Sequence, residues 1–122
     1  IWQVGKRVPQ YMLSEGEEKV NLSGSLGGER VVGGVRLVQR GNVERGAYTI
    51  VKGLHYLKSH YSGMKTLIES SREKCNLLQE PQYERWVEGY LSATEGRVHE
   101  LVLNVYKQVE TERAGVDELC SD

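Results

Sequence analysis

Apolar and weakly polar side chains alternate at spacings of four and three residues between positions 43 and 68. This spacing puts all of them on one face of an α-helix. Asn42, a residue type favoured at helix N-caps, precedes the pattern, and Gly41 before it lets the chain turn. The pattern therefore predicts a long amphipathic helix over residues 42–78. Its predicted core face is Val43, Ala47, Ile50, Leu54, Leu57, Tyr61, Met64 and Ile68.

A second helix is predicted over residues 81–114. Pro81 suits the first turn of a helix, where its missing N–H costs no hydrogen bond. Gly115 suits the position after the last turn, so residues 115–122 are predicted to be a frayed acidic tail. The apolar face of this helix is predicted to be Val87, Leu91, Thr94, Val98, Leu101 and Val105, widened by Val102 and Val109.

A tight turn between the two predicted helices makes them an antiparallel hairpin. In that register Lys65 is expected beside Glu95, and Arg72 beside Glu88. The fold class is therefore predicted to be mainly α, with one long antiparallel helical hairpin. Gly46 and Gly53 are seven residues apart, so they share a helix face and indicate either a kink or a closely approaching neighbour.

Residues 1–41 have a different composition and hold eight of the fourteen glycines of the chain. Paired glycines are unfavourable inside helices and common in turns. The segments KVNLS and VRLVQ fit brief strands, although ERVVGGVRLV also fits a loose helix with a glycine step. We expect an irregular glycine-rich region that holds short strands.

Length and composition favour a single soluble domain over residues 1–122, with an intracellular location slightly preferred. No apolar run is long enough to span a bilayer. Cys75 and Cys120 are the two cysteines, and so low a number favours free thiols over a disulfide-built fold. The net charge of −1 conceals an uneven distribution. Residues 1–65 carry ten Lys or Arg against five Glu, whereas residues 66–122 carry six bases against twelve acids.

No pattern of catalytic or metal-binding residues is visible. The segment LGGERVVGG lacks the lysine and the Ser or Thr of a phosphate-binding loop. The histidines His55, His60 and His99 form no pair at the spacing of metal ligands on a helix. We therefore predict no catalytic residue, cofactor or metal.

One group of basic and aromatic residues is the candidate binding face. On the outward side of the first predicted helix such residues recur at helical spacing, and arginines precede them. The group fits a protein interface, where Tyr and Arg are enriched, or a nucleic-acid contact, and it also fits an ordinary solvated surface. Its members are Arg36, Arg40, Arg45, Tyr48, Lys52, His55 and Tyr56.

A two-helix hairpin rarely buries enough surface to be stable alone, so either residues 1–41 or another copy of the chain must pack on it. We expect self-association into a homo-oligomer, with another protein as an alternative partner. The function expected is a non-enzymatic interaction or assembly protein, with a virus-type structural component as one form. The alternative is a protein that binds single-stranded nucleic acid through its basic N-terminal half. A second alternative is a small helical enzyme with its site at a subunit interface.

Overall fold

The computed structural model describes residues 16–76 and 80–121, which form α-helices joined by short connections. The bounds are Glu17–Gln39 (α1), Val43–Ser70 (α2), Glu84–Ala93 (α3) and Arg97–Cys120 (α4), with a 3₁₀ turn at Arg72–Asn76. The prediction of a mainly α fold is confirmed, and an antiparallel helical hairpin is present among the described residues. The helices that form the hairpin differ from those predicted.

Residues 17–39 are helical, so the prediction of an irregular region with short strands is wrong over that range. No strand is present among the described residues, and residues 1–15 lie outside them. The glycines are compatible with helix α1 because several of them face α2 at very short range. A Cβ on Gly34 would lie 2.6 Å from the carbonyl oxygen of Gly46, and one on Gly53 would lie 2.8 Å from that of Gly27. Contact between backbones compensates for the low helix propensity of glycine.

Helices α1 and α2 are the two arms of the observed hairpin. The chain reverses through Arg40, Gly41 and Asn42, where Gly41 adopts a φ of 97° that L-residues rarely adopt. Contacts between Gly34 and Gly46 near the turn, and between Gly24 and His60 far from it, show that the arms run antiparallel. The closely approaching neighbour predicted as one role for Gly46 and Gly53 is therefore α1.

Helix α2 confirms most of the first predicted helix. Seven of its eight predicted core positions are buried, and Val43, in the first turn, is 51% exposed. The helix ends at Ser70, not at residue 78, and the 3₁₀ turn follows it.

The second predicted helix is two helices. Residues 94–96 break it between α3 and α4, and Gly96 has a φ of 104°. The break shifts the phase of the apolar face, so Val98 and Leu101 are exposed at 43% and 53%. The buried positions of α4 are Val102, Val105, Tyr106, Val109 and Val116. Helix α4 also continues past Gly115 to Cys120, so the predicted tail is largely helical.

Helix α4 packs parallel to α2, which corrects the predicted register. Lys58 donates a hydrogen bond to Gln108, and Lys65 forms an ion pair with Glu112, so contacts advance in the same direction along both helices. Lys65 therefore does not pair with Glu95. Arg72 does not pair with Glu88 either: its guanidinium donates to the carbonyl oxygens of Leu119 and Ser121 at 3.0 and 3.2 Å.

The two cysteines form a disulfide, so the prediction of free thiols is wrong. Cys75 in the 3₁₀ turn is bonded to Cys120 in the last turn of α4, across a sequence separation of 45. The parallel packing of α4 on α2 brings the ends of both helices together, which places the two thiols within bonding range. The disulfide ties the C-terminal end of α4 to the end of α2.

Candidate interaction face

Four of the seven predicted face residues lie on one side of α2. Arg45, Tyr48, Lys52 and His55 follow one another at helical spacing, and all are exposed. We call these four residues the α2 ridge. The buried face of α2, which includes Ile50, Leu54 and Tyr61, points to the opposite side of the helix. The ridge is therefore directed away from the core.

Tyr48 is the most exposed large hydrophobic residue in the described part of the chain, at 64%. The Nζ atom of Lys52 lies 5.2 Å from the centre of its ring, which is a cation–π distance. Tyr48 therefore presents apolar area to solvent beside a positive charge. A side chain of this kind commonly anchors a protein interface.

The other three predicted residues have different environments. Tyr56 is half buried, and the Arg30 guanidinium carbon lies 5.4 Å from its ring centre. Arg36 lies over Trp86 of α3 at 5.5 Å, and Arg40 is the exposed residue that follows α1. Arg30 was not among the predicted face residues, because its contact with Tyr56 depends on the pairing of α1 with α2.

A second polar group lies across the core from the ridge and was not predicted as a site. The hydroxyl of Tyr61 donates to Glu80 at 3.3 Å, that of Tyr83 to Glu110 at 3.3 Å, and that of Tyr106 to Glu88 at 3.2 Å. Burial raises the pKa of each of these phenols above its usual range. The three tyrosines therefore stay neutral at ordinary pH and act as hydrogen-bond donors.

Carboxylates surround the outer side of these tyrosines. The Arg113 guanidinium forms an ion pair with the carboxylate of Glu84. Its nitrogens also lie 3.9 Å from a carboxylate oxygen of Glu80 and 4.0 Å from one of Glu110. We call Glu80, Glu84, Glu88 and Glu110 the acidic cluster. With one guanidinium, that of Arg113, among its four carboxylates, the acidic cluster carries an excess of negative charge.

His60 is a buried titratable group in the contact between α1 and α2. Its Nδ1 atom lies 2.7 Å from the carbonyl oxygen of Val20, so Nδ1 carries the proton and donates. The ring occupies the space that a side chain on Gly24 would fill, since a Cβ there would lie 2.7 Å from Nδ1. Burial lowers the pKa of His60, which keeps the imidazole neutral. Its role in this position is structural.

Within residues 16–76 and 80–121, no three His, Cys, Asp or Glu side chains are grouped so that they could hold a metal ion. None of the helices described is both long enough and apolar enough to cross a bilayer. Comparison of the chain with protein-family models, with curated proteins and with solved structures gives no match.

Proposed function

We propose that this chain is a non-enzymatic interaction protein that associates with further copies of itself through the α2 ridge. The observation that carries the proposal is the position of Tyr48, which is 64% exposed and lies beside Lys52 on the side of α2 that faces away from the core. An aromatic ring flanked by basic side chains is typical of interface anchors.

The distribution of charge favours a second copy as the partner. The ridge contributes Arg45 and Lys52, and the acidic cluster lies across the core from it. A ridge on one copy and an acidic cluster on another are electrostatically complementary. Because the two surfaces differ, the contact would be head to tail, and repetition of it produces a ring or a filament. That geometry fits an assembly protein.

The test measures mass by light scattering at high micromolar concentration and at two salt concentrations. We expect assemblies larger than a monomer at low salt and weaker association at high salt, because exposed charges are screened. The double variant Tyr48→Ala/Lys52→Ala should shift the population toward monomer. Lys107→Ala removes an exposed base of α4 that lies outside the ridge and should leave association unchanged. A wild-type monomer at low salt would exclude the proposal.

Binding of single-stranded nucleic acid is the second candidate. It is supported by the same alignment of Arg45 and Lys52 beside Tyr48, since bases neutralise phosphates and aromatic rings stack on nucleobases. Titration of labelled single strands at low and moderate salt distinguishes it. Under this function Arg45→Ala/Lys52→Ala lowers affinity and reduces its salt dependence. Disulfides persist mainly in oxidising compartments, which favours the protein partner over a nucleic acid.

A further inference from the structure

A cleft lies between the C-terminal half of α1 and helix α3, away from the ridge. Its volume is about 300 Å³, at the lower end of the range of roughly 300–1,000 Å³ that small-molecule sites occupy. Val35 and Tyr90 are buried in its walls, and Trp86 is half buried there. The residues that line it are Val35, Val38, Gln39, Arg85, Trp86, Gly89, Tyr90, Ala93 and Thr94.

Gly89 lines this cleft. No close contact among the described residues requires a glycine at this position. A Cβ at this position would meet nothing within 4 Å, whereas Gly34, Gly46 and Gly53 would each bring one within 3 Å of a neighbouring helix. A glycine inside a helix costs about 1 kcal/mol relative to alanine. The absence of a side chain at Gly89, followed by Ala93 one turn later, keeps the cleft open.

The charge at the cleft selects for an anion. Arg85 is the one charged residue in the lining, and it is exposed. Arg36 adds a second guanidinium beside the cleft, where it lies 5.5 Å from the Trp86 ring centre. No carboxylate belongs to the lining. Apolar walls below a basic rim are complementary to an amphiphile with a negatively charged head.

We propose that the cleft binds a small amphiphilic carboxylate of the medium-chain fatty acid class. The hydrocarbon tail lies against Val35, Trp86 and Tyr90, where it is removed from water. The carboxylate pairs with the guanidinium of Arg85 at the rim. This site is separate from the α2 ridge and does not depend on self-association.

The fluorescence of Trp86 reports directly on the cleft. The other tryptophan is Trp2, so a Trp2→Phe variant leaves Trp86 as the sole indole. Titration of this full-length variant with decanoate should give a saturable fluorescence change. A fluorescence signal that rises linearly without saturating, or that does not change, would overturn the proposal.

Two leucine variants separate filling of the cleft from a general effect on helix stability. Gly89→Leu places a side chain in the cleft and should weaken decanoate binding by about tenfold or more. Gly33→Leu replaces a helical glycine that also has nothing within 4 Å but does not line the cleft, so it should leave binding unchanged. Equal effects of the two variants, with folding verified by circular dichroism, would contradict the assignment.

Removal of the charge tests the choice of head group. Arg85→Gln should weaken decanoate binding by roughly two- to fivefold, the range of an exposed ion pair. The same variant should bind decanol, which has no charge, as tightly as the parent does. An equal loss for both compounds, or no loss for decanoate, would overturn the role of Arg85.

Discussion

Adjacent glycines in this chain have opposite environments, although the sequence gives both the same low helix propensity. A Cβ on Gly34 would lie 2.6 Å from the carbonyl oxygen of Gly46 and 2.7 Å from the side chain of Ile50. A Cβ on Gly33 would meet nothing within 4 Å. One of the pair is required by the α1–α2 contact, and the other is not.

At the residue scale we therefore predict opposite effects from the same substitution. Gly34→Ala should lower the free energy of unfolding by roughly 1–3 kcal/mol, because the methyl group meets backbone that cannot move aside cheaply. Gly33→Ala should raise it by up to about 1 kcal/mol through better helix propensity. Urea denaturation, monitored by circular dichroism, measures the free energy of unfolding of both variants. A stabilising Gly34→Ala would show that the helices do not approach so closely.

At the scale of elements, the C-terminal part of α4 is held by contacts with the end of α2. The disulfide joins Cys75 to Cys120, and Arg72 donates hydrogen bonds to the carbonyl oxygens of Leu119 and Ser121. These carbonyl groups lie at the helix end, where no further turn provides donors for them. The cross-link and the arginine thus fix the same helix terminus.

We predict that the disulfide makes a large contribution to stability. For a closed loop with a sequence separation of 45, the loss of chain entropy in the unfolded state corresponds to about 4 kcal/mol. The double variant Cys75→Ser/Cys120→Ser should lose about that much unfolding free energy in urea. Reductant should destabilise the wild type and leave the double variant unchanged. Alkylation of two thiols in the denatured, unreduced protein would contradict the cross-link.

At the scale of the whole molecule, the direction of α4 determines which charges meet. Parallel packing places Lys65 against Glu112, and a Cβ on Gly115 would lie 3.1 Å from Cδ of the Lys65 side chain. The antiparallel arrangement expected from the sequence places Lys65 beside Glu95 instead. The partner of Lys65 therefore distinguishes the two arrangements.

Double-mutant cycles distinguish these arrangements. We expect a coupling energy between Lys65 and Glu112 of about 0.2–1 kcal/mol, since both side chains are partly exposed. The cycle between Lys65 and Glu95 should give a coupling close to zero and provides the matched control. Alanine is the replacement at all three positions, and urea denaturation is the measurement. A coupling energy between Lys65 and Glu95, with none between Lys65 and Glu112, would contradict the parallel packing and support the antiparallel arrangement.

The amino-acid sequence by itself determined the helical class, the buried face of α2 and the residues of the α2 ridge. Each of these depends on positions within a few turns of one helix. Periodicity records which side of a helix is buried, and it does so whichever element covers that side. For this reason seven of the eight predicted core residues of α2 are buried.

Only the tertiary structure decided that α1 is helical, that α4 packs parallel to α2 and that Cys75 bonds to Cys120. The glycines of α1 oppose a helix locally, and they are tolerated because the glycine face of α2 lies directly against them. The cleft beside Gly89 likewise requires α3 to face α1. Each of these features is a contact between residues far apart in the chain, and periodicity along one segment does not specify its partner.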